Sequence, residues 1–382
     1  MRFLNYIFLF SILAVAGCRN GSVGVKIAPP EAKREITRAE RFNIETKDSN
    51  LTVLRIINPW QGSGNINLTY YLLKRGSAIP EGIDTTLLIF VPLKKIICMS
   101  TTHTAMISAL GEEASIAGVS GTGFVFSESL NVKIDEGFIK DVGYEASLNN
   151  ELILKISPDL IMMYGIGGES AGYVNKIREL GVKVMFNADY LETDPLGKAE
   201  WIRLFGALYC KENMADSIYR SEVEQYEKLK DYIGINISSR PEVLLGLPYK
   251  DTWYISPGNS YISRIISDAG GNYLWKDMES EISMPLGIEN VYLHAMSADF
   301  WLNIGTAKKR NDIAAVDHRL ASLPCFKNGN LFNNINRMNL SGGNDYWENG
   351  TTHPHLVLKD IATILHPELF GDDELYFYRK IQ

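Results

Sequence analysis

KAEWIRLFGALYCKENMADSIYRSEVEQYEKLKDYI, from Lys198 to Ile233, lies between two segments of similar design. Trp201, Leu204, Phe205 and Leu208 recur on one helical face, and Ile218, Tyr219, Glu222, Tyr226, Leu229 and Ile233 continue at the same spacing. Lys211-Glu212-Asn213 divides the pattern into two helices. The second, about Ala215 to Ile233, would be roughly 28 Å long at about 1.5 Å per residue, with Gly234 its expected stop. An ordinary surface helix would be equally amphipathic. What reads as a strut is the position between two look-alike halves.

Each flanking half opens with an apolar run, Ile96-Ile97-Cys98-Met99 in one and Val243-Leu244-Leu245 in the other, and passes through a loop and a glycine-terminated helix. The closing runs echo one another: Ser157-Pro158-Asp159-Leu160-Ile161-Met162-Met163-Tyr164-Gly165, then Ser297-Ala298-Asp299-Phe300-Trp301-Leu302-Asn303-Ile304-Gly305. Uninterrupted apolar strands alternating with helices over short connections are the pattern of a parallel sheet covered on both faces. The expected fold class is therefore α/β: two doubly wound parallel-sheet lobes joined by a long rigid helix. A small β-rich N-terminal lead-in precedes them, packing on the first lobe. Expected boundaries are 31–91 for the lead-in, 92–196 for the first lobe, 197–234 for the bridge and 240–382 for the second lobe. Helices are expected at Ala105–Leu110, Gly172–Leu180, Ser260–Asp268 and Leu356–Leu365, each stopped by glycine or proline.

The first seventeen residues carry Arg2 and an apolar run from Phe3 to Ala16, the design of a secretory signal. Val15-Ala16-Gly17-Cys18 looks like a bacterial lipoprotein box, with Cys18 the lipid-bearing first residue of the mature chain and residues 18–30 a tether. This places the body in the periplasm, leashed to a bacterial membrane. Net charge is −7, or −8 once the leader and its single Arg2 are removed, and no basic tract offsets it. Nucleic acid is therefore excluded as a partner class. Cys98, Cys210 and Cys325 show no metal or redox spacing, and their odd number leaves at least one thiol unpaired.

From Pro92 to Leu369 the chain resembles the periplasmic substrate-binding proteins of ABC importers for iron–siderophores, haem and cobalamin, the class with a rigid interlobe helix. The resemblance rests on the strand–Ser100-Thr101-Thr102–helix–Leu110-Gly111–Ile116-Ala117-Gly118-Val119 opening, on Glu151 before Ser157-Pro158-Asp159-Leu160, on Gly181-Val182-Lys183-Val184 and on the second-lobe echo. Asp345-Tyr346-Trp347-Glu348 and His366-Pro367-Glu368-Leu369 look like the variant common among Bacteroides-type bacteria. The resemblance implies an ABC permease and its ATPase as partners, docked through one glutamate per lobe. Glu151 matches that position. Glu289 also matches, although it stands two residues further from Asp299 than Glu151 from Asp159. It implies no catalytic residues and no cofactor, since metal arrives inside the bound chelate, and a monomer whose stiff bridge allows only small lobe closure.

Ligands in open α/β sheets sit beyond the carboxyl ends of strands. The candidates are Thr102, His103, Phe124, Tyr144, Tyr164, Trp253, Arg337 and Trp347: aromatics for the flat faces of a chelate or macrocycle, and Arg337 for an anionic group. Each aromatic could equally be core or rim. Two other readings stay open. One is a carrier of bare zinc or manganese using His103, although the six histidines are scattered and form no His-rich loop. The other is a glycan-binding surface lipoprotein. An enzyme is disfavoured, because neither Gly-x-Ser-x-Gly nor a P-loop occurs.

Overall fold

The computed structural model describes residues 37–144, 147–165, 170–371 and 373–382; the leader with Cys18 and the tether lie outside them. Four strands come first: β1 (Phe42–Thr46), β2 (Leu51–Ile57), β3 (Asn67–Lys74) and β4 (Leu88–Val91). β1 and β2 pair antiparallel around a turn in which Asp48 Oδ1 accepts the amides of Asn50 at 2.7 Å and Leu51 at 3.0 Å. β3 joins antiparallel to β2, and β4 runs parallel to β3. Their inward residues Leu54, Ile56, Tyr70 and Leu72 share one apolar cluster with Ile96 and Met106 of the first lobe and with Trp201, Leu204 and Phe205 of the bridge. This sheet is thus packed on bridge and first lobe together.

The first lobe holds β5 (Ile96–Cys98), β6 (Ile116–Val119), β7 (Lys140–Asp141), β8 (Leu160–Met163) and β9 (Val184–Phe186), in the order β7-β6-β5-β8-β9 and parallel throughout. Every residue of β5, β8 and β9 is buried, as strands covered on both faces require. In the second lobe β10 (Glu242–Leu245), β12 (Asn272–Tyr273), β14 (Phe300–Leu302) and β15 (Leu331–Asn333) run parallel in the order β12-β10-β14-β15. An antiparallel edge strand, β16 (Arg379–Lys380), completes it. β11 (Thr252–Ile255) and β13 (Met284–Gly287) form a separate antiparallel pair, which the sequence pattern did not announce.

The repeated aspartates do the same work in each lobe. Asp159 Oδ2 accepts the amides of Lys94 at 2.6 Å and Lys95 at 3.0 Å, and Asp299 Oδ2 accepts that of Glu242 at 2.8 Å. Each carboxylate fastens the start of a strand to its sheet neighbour, β8 to β5 and β14 to β10. The echo in the sequence is a register lock.

The bridge consists of the helices Ile202–Tyr209 and Glu212–Asn236. Cys210, at φ 56°, ends the first in the left-handed region. The second has 25 residues and spans about 37 Å at about 1.5 Å per residue. It does not stop at Gly234. Ile233 is buried and Ile237 packs on the same core, and holding both in place outweighs the roughly 1 kcal/mol that a glycine costs inside a helix. The helices at Thr101–Ala109, Tyr261–Asp268 and Pro354–Leu365 fall near their expected positions; Ser100 and Ser260 cap the first two. Cys98, Cys210 and Cys325 are free thiols.

Candidate functional site

In the first lobe the strand order reverses between β5 and β8, and in the second between β10 and β14. Crevices open at such switch points beyond the carboxyl ends of the strands. Thr102 follows β5, Gly246 follows β10 and Asn303 follows β14, and all three line one cavity of about 1060 Å³ between the lobes. That volume lies at the upper end of the about 300–1000 Å³ usual for small-molecule sites.

Of the residues expected at the cleft, Thr102, Phe124 and Trp347 line this cavity. Phe124 and Trp347 come from opposite lobes and leave 56% and 60% of their surface exposed. The remaining five stand elsewhere. Tyr144, half exposed, meets Phe124 edge-on at 6.1 Å without lining the cavity. Tyr164 packs against the core beneath β8 and β9. His103 is fully buried, and burial pushes its imidazole down to about 3, so it stays neutral. Trp253 is fully buried, stacked on Trp301 at 5.7 Å and donating Nε1–H to the Leu245 carbonyl at 2.9 Å. The correction has a simple cause: residues 252–255 form a strand, successive side chains point to opposite faces, and Tyr254, not Trp253, turns to the cavity.

Arg337 likewise does not line the cavity. Its Nε pairs with Asp345 Oδ2 at 2.5 Å, and its guanidinium lies 4.5 Å over the Tyr376 ring and 5.3 Å over the Phe126 ring. Phe126 belongs to the first lobe, so Arg337 is part of a clasp across the cleft. The clasp continues through Asn339 Nδ2, which donates to the Val125 carbonyl at 2.8 Å. Glu348 completes it, its carboxylate accepting the amides of Phe126 at 2.6 Å and Ser127 at 3.1 Å just before the helix Glu128–Asp135. Burial pushes the Glu348 carboxyl up to about 7, despite the two amides that favour its charged form.

The rest of the lining went unread in the sequence. Trp60 stands on the loop between β2 and β3, where it packs on Phe186 at 5.1 Å and forms a bridge to Gly165. Tyr190 donates to the Gly165 carbonyl, and burial pushes its phenol up to about 12. Tyr261 lies under Lys198 Nζ at 4.9 Å. Arg41 and Lys308 add two more cations to the walls. A signal for Trp60 did exist: a lone tryptophan in Asn58-Pro59-Trp60-Gln61-Gly62-Ser63-Gly64, between two strand-forming runs, is a poor candidate for core.

Glu151 and Glu289 are exposed, each in the first turn of a helix, Asn150–Ile156 and Ile288–Ala295. Arg319 Nη1 reaches Glu289 Oε1 at 3.4 Å. Among the described residues no group of three or more His, Cys, Asp or Glu is placed to hold a metal ion.

A sequence model described as "Periplasmic binding protein" matches residues 96–333. The chain belongs to that family. An uncharacterized lipoprotein of Methanocaldococcus jannaschii is 28% identical over 94% of this chain and 90% of its own length. A second from the same organism is 27% identical over 82% of this chain and 80% of its own length. Among solved structures, a periplasmic heme binding protein of Pseudomonas aeruginosa matches with TM-score 0.57 at 16% identity, covering 76% of this chain and 98% of that one. A protein of an ABC-type Fe3+-hydroxamate transport system from Saccharomonospora viridis matches with TM-score 0.53 at 16% identity, covering 73% and 94%. These likenesses establish the two-lobed fold with its long helix. As a family member the chain is a solute-binding component of an ABC transporter, not an enzyme. The family match begins at residue 96, so the β1–β4 sheet and its Trp60 loop lie outside it.

Proposed function

We propose that this protein is anchored by lipid on Cys18, works as a monomer, captures a metal chelate between its lobes and hands it to an ABC permease through Glu151 and Glu289. The chelate classes that fit are an iron–siderophore, haem or cobalamin. The observation that carries the reading is the cavity: about 1060 Å³, walled by Trp60, Phe124, Tyr254, Tyr261 and Trp347. Aromatic rings facing a large hollow suit a guest with flat apolar surfaces, and a bare ion needs neither the rings nor the space. Structural neighbours named for heme and for Fe3+-hydroxamate carry the same fold and lend support. Two relatives described as lipoproteins, matched over 94% and 82% of this chain, support the anchor.

The test is titration of the mature chain with haemin, ferric siderophores and cobalamin, read by visible absorbance and by quenching of tryptophan fluorescence. Saturable binding of one of them at micromolar concentration or below is expected. Failure of all three classes, with binding to a glycan array, would overturn the proposal. Replacement of Cys18 by serine should release the protein from the membrane fraction.

A further inference from the structure

Three cations line the cavity from three separate parts of the chain. Arg41 precedes β1, Lys198 lies in the short helix Pro195–Ala199 at the foot of the bridge, and Lys308 follows β14. Each has an acid near it, and for Arg41 and Lys308 that acid is taken up by backbone amides. The Glu192 carboxylate accepts the amides of Glu40 and Arg41, both at 3.0 Å, and Trp201 Nε1–H at 3.0 Å, so no ion pair forms with the Arg41 guanidinium. Asp312 Oδ2 accepts the amides of Lys308 at 2.8 Å and Lys309 at 3.0 Å rather than the Lys308 ammonium. Lys198 Nζ rests over the Tyr261 ring and acts at a distance on the buried Asp189 carboxyl, with no direct ion pair. Among the described residues none of the three cations has an ion-pair partner within 4.0 Å. Among the described residues the acids of the lining are Glu192, already engaged, and the exposed Glu281. A chain of net charge −7 has thus gathered three cations, none in a direct ion pair, around one cavity.

We infer that the cavity selects an anionic guest, and that the amino-terminal sheet outside the family match takes part in the selection, with Arg41, Lys198 and Lys308 receiving peripheral oxyanions of the chelate. This rests on the chelate-carrier reading and adds to it a charge requirement and a third wall. Carboxylate and catecholate oxygens share the needed chemistry: they accept charge-assisted hydrogen bonds from guanidinium and ammonium groups. The aromatic rings would hold the body of the guest while the cations hold its rim.

The experiment titrates the mature full-length chain, by tryptophan quenching at about 50 and about 500 mM NaCl, with four probes. These are a ferric tris-catecholate of charge −3, haemin with its two carboxylates, a neutral ferric trihydroxamate and neutral cyanocobalamin. One of the two anionic probes should bind at least about tenfold more tightly than either neutral one, and its affinity should fall with salt. Arg41→Gln, Lys198→Gln and Lys308→Gln should each weaken that complex about five- to tenfold, with neutral-probe binding and the thermal midpoint nearly unchanged. Arg41→Lys should recover part of the loss. Which anionic probe wins separates carboxylate from catecholate as the recognised group. Preference for a neutral probe, or anionic binding untouched by all three substitutions, overturns charge selection and leaves the carrier reading intact. Binding of none of the four overturns both.

Discussion

Glu348 offers the sharpest test of the cross-lobe clasp. Its carboxylate is 1% exposed and holds two amides of the opposite lobe, and burial raises its pKa from 4.5 to about 7. A raised folded-state pKa means that the native protein holds this proton more tightly than the unfolded chain. The associated stability is therefore complete below about pH 4.5 and is lost as pH rises through about 7. At 1.36 kcal/mol per pKa unit the difference amounts to at most about 3 kcal/mol. Glu348→Gln keeps the length and one acceptor oxygen but cannot ionise, so it should gain on the parent by about 1–3 kcal/mol between pH 5 and pH 8, whatever its fixed cost. Asp360, whose carboxyl burial raises to about 6, titrates in the same window but is present in both proteins and cancels. Urea unfolding at several pH values measures the difference. A gap between the two proteins that stays constant with pH, or widens in the parent's favour as pH rises, would refute the reasoning.

Other outcomes follow from the same geometry. Trp60→Ala should weaken binding of the accepted chelate about tenfold or more, since it strips an aromatic wall, while Trp347→Phe should cost far less; titration of both variants decides it. Glu151→Ala with Glu289→Ala should lower uptake in cells yet leave affinity in solution unchanged, and a matching loss of affinity would remove the docking role. A Cβ placed on Gly206 would stand 2.6 Å from the Cβ of Ala215, so Gly206→Ala should force the two bridge helices apart and cost about 1–3 kcal/mol in denaturant unfolding.

Much of the fold was legible because its signals are periodic. Uniformly apolar strands, glycine-stopped helices and the Asp159/Asp299 echo survive in the sequence whatever surrounds them. The site was harder to read, because it depends on which way single side chains turn. Trp253 and Tyr254 differ by one residue in a strand that the sequence left as loop, and that one residue separates core from cavity. Arg337 lies in a polar run that looks open to a ligand; its partner Asp345 stands eight residues on, while Phe126 and Tyr376 arrive from distant parts of the chain. The lead-in, short β-prone runs between turns, announces a packed sheet and no site. Its contribution to the cavity comes from a loop whose position is fixed by a sheet and a bridge that meet only in three dimensions.

The way residues 38–41 are fixed has one more effect. Glu200 Oε2 accepts the amides of Arg38 and Ala39 at 2.7 and 2.8 Å, Glu192 takes the next two amides, and the Arg38 side chain reaches Glu227 at 2.7 Å. The lead to the first strand is thereby stapled both to the connecting rod, at Glu200 and Glu227, and to the end of the first lobe, at Glu192. Arg41 and the Trp60 wall, which packs on Phe186 of β9, would therefore travel with the first lobe, like a jamb fixed to one leaf of a door. An empty and a filled carrier would then differ chiefly in how far the second lobe's wall stands from this composite one.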